Sequence, residues 1–178
     1  MKQAKVRDDI VVPAIFAIYI YAVFKIILFK FDSIDITFLW HQLQRGLEYP
    51  GYFKNRLQLA NFTPFESISM NIERLTNHDV INLFGNIALF IPFGILLLLM
   101  SHNRRMTLSG IFMRSLGLSL SLECLQLVFS MGSFDVDDLI LNVSGGILGY
   151  GIYKLMGRNN MPDSDSPSGH PSRFASFS

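Results

Sequence analysis

Cys124 is the chain's single cysteine. It cannot close an intramolecular disulfide or supply a thiolate cluster, so disulfide frameworks and zinc fingers are excluded. Charge is scarce as well: 16% of the 178 residues are charged, and 15 basic against 14 acidic residues leave a net charge of +1. Such a chain has no basic excess to neutralise a nucleic-acid backbone, and nucleic acid is not an expected partner. His41, His78, His102 and His170 lie in different segments without metal-ligand spacing. Neither a Ser-His-Asp arrangement nor a phosphate-cradling glycine loop occurs. The motifs of soluble enzymes are missing, and no cofactor is expected. What the chain has in plenty is apolar surface, with 50% hydrophobic residues and a mean hydropathy of +0.34, too oily for an ordinary soluble domain. The expected fold class is all-α, a polytopic membrane protein.

A helix needs about 20 apolar residues to cross a hydrocarbon core of about 30 Å. Segment 10–29 meets that length and follows Lys2, Lys5 and Arg7. It is longer than the about 7–15 residues of a signal-peptide core and no A-x-A-like site follows, so it is expected to stay attached. Segment 81–100 carries no charge, segment 107–130 carries only Arg114 and Glu123, and segment 138–156 is charged only at its ends around a glycine-rich middle. Glycine in a helix is tolerated in lipid, and four spans are expected. Arg114 lies near an end and is expected to snorkel. The reading is a flank at 1–9, a membrane domain over 10–156 and a polar tail at 157–178 that buries too little to fold.

The stretch between the first two spans is too long for a bare loop. Ile36, Leu39, Trp40, Leu43 and Leu47 form one apolar stripe, which predicts an interfacial helix with Trp40 at headgroup level. Tyr49-Pro50-Gly51 is expected to break the chain, and Asn61-Phe62-Thr63-Pro64-Phe65 to be extended or turning. Lys and Arg in the short flanks, including Arg104, Arg105, Lys154 and Arg158, predict that both termini lie inside.

Polar residues inside the spans are the most informative feature. Asn82 and Asn86, Glu123 and Gln126, and Asp138 and Asn142 are paired at i, i+4 or i, i+3, so each pair shares a helix face. At 1.5 Å per residue, Asn86, Glu123 and Asn142 lie about 8, 10 and 6 Å from the outer ends of their spans. The three stripes therefore predict one polar pocket in the outer leaflet, beside the Asp135, Asp137, Asp138 turn. A carboxylate in lipid costs about 2.5–3.5 kcal/mol on translocon scales, so Glu123 must be paired, protonated or wet, and Lys25 is the candidate counter-ion. The asparagines and Gln126 have a plainer use as interhelical hydrogen bonds, and Gly145-x-x-x-Gly149 as a close-packing face. Pro92 and Gly94 are expected to kink the second span. The acidic turn could hold a hard cation with Asn142, or could be a solvated helix N-terminus favoured by the helix dipole. It does not make a convincing metal set.

These motifs, taken in order, resemble the VanZ-like family of bacterial membrane proteins. The matching pieces are Asn61-Phe62-Thr63-Pro64-Phe65, Asn82-x-x-x-Asn86 leading into Phe90-Ile91-Pro92-Phe93-Gly94, Glu123-x-x-Gln126, and Phe134-Asp135-Val136-Asp137-Asp138 running into Asn142 and Gly145-Gly146. Many members carry an Arg in the turn before the Asp motif, whereas Ser130-Met131-Gly132 has none. The resemblance implies a bacterial cell-membrane protein, mainly of Gram-positive bacteria, with a link to low-level resistance to teicoplanin, a glycopeptide with a lipid tail. Two functions then stand beside each other. One is a binding protein whose partners are membrane lipids and a lipid-linked cell-wall precursor or lipoglycopeptide, held by Asn61, Asn82, Asn86, Glu123, Gln126, Asp135, Asp138 and Asn142. The other is a membrane enzyme with Glu123 as general acid or base and the Asp turn holding Mg²⁺. Binding is favoured, because no nucleophile has a base beside it.

Overall fold

A computed structural model describes residues 10–29, 35–101 and 106–158. The basic flank with Lys2, Lys5 and Arg7, the pair Arg104 and Arg105, and the tail from 159 onward lie outside the described residues. With them go most of the charges on which the expected orientation rests. The chain is all-α: α1 (Val12–Phe29), α2 (Ile36–Glu48), α3 (Pro50–Gln58), α4 (Glu66–Arg74), α5 (Asn77–Met100), α6 (Leu108–Phe129) and α7 (Val136–Arg158). Four of these, α1, α5, α6 and α7, are long and apolar enough to cross a membrane.

Helix α5 begins four residues before the apolar run that predicts it, because Thr76 and Asp79 form a capping box. The Thr76 Oγ1 accepts from the Asp79 amide at 3.3 Å, and the Asp79 carboxylate accepts from the Thr76 amide at 3.1 Å. Thr107 caps α6 through the Gly110 amide at 3.1 Å. Pro92 sits inside α5, which runs as one helix from Asn77 to Met100. At the other boundary α7 runs to Arg158, two residues past the span expected to end at Met156.

The most extensive contact in the bundle joins α5 to α7, and glycine makes it possible. A Cβ on Gly145 would strike the Ile87 carbonyl, one on Gly149 the Ile91 carbonyl, and one on Gly94 the Gly146 carbonyl. The matched steps of four, Ile87 to Ile91 against Gly145 to Gly149, mean that the two helices run in the same direction. Backbone therefore packs on backbone, which is how small residues drive association in lipid. Around this seam Phe90, Phe93, Leu97 and Leu98 of α5 bury with Ile111 and Leu122 of α6 and Val23 and Leu28 of α1. Phe93 packs its ring on Phe16 at 5.9 Å and on Phe90 at 5.7 Å. Helix α1 touches α5 and α6 but buries only Val12, Val23 and Leu28, so it is the most loosely held of the four.

The segment between α1 and α5 holds three short helices where one is predicted. Asp35 caps α2 through the Thr37 and Phe38 amides at 2.9 and 3.0 Å. The α2 stripe divides: Leu39 and Leu43 turn partly inward and Gly46 lies under the Phe53 ring, while Ile36, Trp40 and Leu47 remain 76%, 58% and 72% exposed. Those three form the side an interfacial helix turns toward lipid. The break falls at Tyr49 alone, and Pro50 opens α3. Proline at the first helical position sacrifices an amide that has no partner there anyway, so Tyr49-Pro50-Gly51 is a helix junction and not an irregular break.

Alanine at Gly94, Gly145 or Gly149 should lower the stability of the purified protein by about 1–3 kcal/mol, the usual cost of overpacking. Alanine at Gly117 or Gly151, where an added Cβ meets nothing within 4 Å, should leave it unchanged or slightly raised. Thermal unfolding in detergent compares the two sets; equal midpoints would show that the seam tolerates separation.

Candidate functional site

Helix α6 ends at Ser130, whose left-handed backbone (φ 56°) turns the chain back so that the start of α7 passes beside Glu123. Glu123 is 2% exposed, and its Oε2 accepts from the Asp135 amide at 2.9 Å. No ion pair joins it to Lys25 among the described residues. The expected counter-charge is thus replaced by a backbone N–H, which satisfies a carboxylate oxygen without a second buried ion.

Asp135, half-buried, and Asp137, buried, both accept from the chain's own amides and hydroxyls. Asp135 Oδ1 accepts from the Asp137 amide at 2.8 Å, which caps α7, and from Asn61 Nδ2 at 2.9 Å, while its Oδ2 accepts from Ser67 at 2.6 Å. Asp137 is 1% exposed and accepts from the amides of Phe65 at 2.6 Å and Ile68 at 3.1 Å. Phe65 is the first residue before α4, lies at φ 69° and offers no cap of its own. The cap of α4 therefore arrives from α7, in a carboxylate 72 residues along the chain. The backbone closes the same joint: Asn61 donates to the Phe134 carbonyl at 2.8 Å and accepts from the Val136 amide at 3.0 Å. Phe62 and Phe134 stack at 5.4 Å. Segment 61–65, which pairs at Asn61 and turns at Pro64–Phe65, and the acidic turn thus form one clamp.

The turn lacking an arginine receives one from elsewhere. Arg56 on α3 donates to the Gly132 carbonyl, and Tyr52 is hydrogen-bonded to Ser130. Tyr52 also donates to Gln42 at 2.9 Å, which ties α2 and α3 to the same turn.

Asp138 follows Asp137 by one residue, about 100° around the helix, and faces another way. It accepts from Asn86 Nδ2 at 2.6 Å across the α5–α7 seam. Both residues line a cavity of about 620 Å³ between α1 and α5, together with Asn82 and Gln126. Gln126 donates to the Ile27 carbonyl at 3.1 Å and so pins the end of α1. Tyr19, Ile26 and Ile27 of α1 and Ala88, Leu89 and Pro92 of α5 supply apolar wall, and the exposed His78 lies where α5 begins. The Tyr19 hydroxyl donates to the Leu89 carbonyl.

Of the eight residues expected in one pocket, the structure brings four together there: Asn82, Asn86, Gln126 and Asp138. Glu123, Asn61 and Asp135 belong to the clamp behind it. Asn142 is 2% exposed and donates to Ser119 at 2.9 Å in the seam between α6 and α7, where Ser115 and Ser119 are fully buried. The single expected pocket is thus a cavity, a clamp and a buried seam, because adjacent helix positions diverge once neighbours surround the helix. Sequence reasoning missed the α1 wall, since Tyr19, Ile26 and Ile27 are ordinary span residues. It also missed Ser67, which carries no motif. Among the described residues no three His, Cys, Asp or Glu side chains converge in a way that could hold a metal ion.

A family model for VanZ/LLP1 matches residues 16–157. The chain belongs to the VanZ/LLP1 family. Protein VanZ of Enterococcus faecium is 29% identical over 143 residues, which cover 80% of this chain and 73% of that protein. No solved structure matches. This VanZ-like chain is a membrane protein, and the motif order that marks the resemblance corresponds to the clamp and the α5–α7 seam.

Asp137→Ala should free α4 while the bundle persists. Losing a helix cap costs about 1 kcal/mol, and such a loss is about a fivefold change in a local opening equilibrium. Hydrogen exchange should therefore quicken at residues 65–70 and stay unchanged at residues 87–97; unchanged exchange at 65–70 would show that α4 does not depend on Asp137.

Proposed function

We propose that this VanZ-like protein binds an amphiphilic ligand at the outer membrane surface of the bacterial cell, makes and breaks no bond, and thereby lowers susceptibility to teicoplanin. The observation that carries the reading is the cavity between α1 and α5, with Asn82, Asn86, Gln126 and Asp138 on one side and apolar wall on the other. A concave, largely apolar site with a few convergent polar groups is the common form of a small-molecule site, and about 620 Å³ falls within the usual range of about 300–1,000 Å³. The orientation that places both termini inside puts this cavity and the short helices α2, α3 and α4 at the outer surface, where a lipid-linked wall precursor or a lipid-tailed glycopeptide is met.

The enzyme reading has less support. Glu123, its general acid or base, is buried in the clamp with one oxygen on the Asp135 amide and does not line the cavity. A general base must come within hydrogen-bond reach of the proton it takes.

The test is teicoplanin and vancomycin susceptibility of a sensitive Gram-positive host expressing the wild type, Glu123→Gln or Gly85→Leu at equal membrane abundance. Gly85 lines the cavity, and an added Cβ there meets only an Ile81 methyl at 3.9 Å, so leucine fills space without displacing backbone. Wild type and Glu123→Gln should both raise teicoplanin tolerance, since Gln keeps the oxygen that accepts from Asp135, and Gly85→Leu should lose it. Loss of tolerance in Glu123→Gln with retention in Gly85→Leu would favour the enzyme.

A further inference from the structure

We infer that α1 is a movable wall: its half from Tyr19 to Phe29 swings away from α5 when two hydrogen bonds are released, and the cavity then opens to the bilayer. The motion belongs to the wall and is the same whatever the cavity takes. Two side chains hydrogen-bond that half to the rest of the bundle, the Tyr19 hydroxyl to the Leu89 carbonyl and Gln126 to the Ile27 carbonyl at 3.1 Å. All four residues line the cavity.

Each tie has a substitute at hand. Tyr19 is bound at a turn of α5 that Pro92 has already weakened, since proline has no N–H for the Ala88 carbonyl. The Phe93 amide lies against the same hydroxyl, so Tyr19 sits between the Leu89 carbonyl and the Phe93 amide. An undisturbed α-helix joins those two groups to each other, and a side chain inserted there bends it. Once the hydroxyl withdraws, carbonyl and amide can pair within α5 and neither is orphaned. At the other tie, Ile27 lies in the last turn of α1, whose carbonyls have no helical donor. It is two residues from the helix end, about 3 Å along the axis, where interfacial water can replace Gln126. The freed Tyr19 hydroxyl is left without a substitute inside the chain, which makes Tyr19 the stronger latch.

Apolar packing does not oppose the motion as it would in water. Val23 and Leu28 are buried in the moving half, and on opening they exchange protein neighbours for acyl chains as apolar as leucine. The opposite seam cannot part so easily: α5 and α7 meet backbone to backbone at Gly94, Gly145 and Gly149, and separation would forfeit close dispersion contacts. Phe16, three residues before Tyr19, stacks on Phe93 at 5.9 Å and holds the other half of α1. The bend therefore falls between Phe16 and Tyr19.

The experiment uses the full-length protein in lipid nanodiscs, with the single and exposed Cys124 replaced by Ser. Spin labels at Tyr21→Cys and Phe84→Cys report the separation of α1 and α5, and labels at Phe84→Cys and Leu148→Cys that of α5 and α7. All three positions are exposed and outside the cavity lining, and Tyr21 lies about 200° around α1 from Tyr19. Double electron–electron resonance should show a second, longer α1–α5 distance whose share relative to the shorter rises at least about threefold in Tyr19→Phe, as expected for one interhelical hydrogen bond lost in lipid. Gln126→Met should raise it about threefold and the double variant about tenfold, the two ties acting independently. The α5–α7 pair should keep one distance throughout. An α1–α5 distribution that the double variant leaves unchanged would overturn the movable wall, and equal broadening of both pairs would overturn the latch by showing a bundle that loosens as a whole. Unfolding midpoints establish which variants fold, and Gln126→Met alone carries the comparison if Tyr19→Phe does not.

Discussion

Three carboxylates where α6 hands over to α7, Glu123 and Asp137 buried and Asp135 half-buried, impose most of the architecture around them. A buried carboxylate must find donors, and each of these finds them in a different segment. Glu123 takes the amide of Asp135, Asp135 takes Asn61, Ser67 and the first turn of its own helix, and Asp137 takes the open N-terminus of α4. A segment of more than forty residues that could have wandered between two spans is thereby fastened to the helix ends. Among the described residues the donors to these three carboxylates are amides and hydroxyls, which cost less to bury than a second ion.

The same few residues serve two surfaces because of helix geometry. Asp137 and Asp138 are neighbours in the chain yet about 100° apart around α7, so one caps α4 and the other reaches Asn86 and the cavity. On α6, Glu123 holds the turn while Gln126 holds the end of α1. The clamp and the cavity therefore share helices but not side chains. A change in one can be read separately from a change in the other.

Close approach of α5 and α7 makes the second surface possible. Glycines at 94, 145 and 149 leave backbone carbonyls in contact with bare Cα positions, and the short Asn86 side chain can then span the seam to Asp138. Tight packing on that side contrasts with α1, which buries Val12, Val23 and Leu28 alone and is tied by one hydrogen bond at mid-helix through Tyr19 and one near its end through Gln126. The cavity lies between the tight half and the loose one. A cavity at such a boundary can open without unpacking the core.

Sequence by itself determined the class and the inventory: four spans follow from hydropathy and length, the α2 helix from its apolar stripe, and the unusual polar residues from their presence in lipid-length segments. It also placed the helix α5 too late and left α3 and α4 unread, since a capping box, an N1 proline and a borrowed cap are signals weaker than an apolar run. Only the tertiary structure decided how the polar residues divide. The i, i+4 spacing puts Asp138 and Asn142 on one face, but whether that face meets α5, α6 or open space depends on the helices packed around it. Asn142 meets Ser119, Asp138 meets Asn86, and Asp137 meets a helix start 72 residues away. Periodicity specifies direction relative to a helix's own axis, and contact requires the position of another.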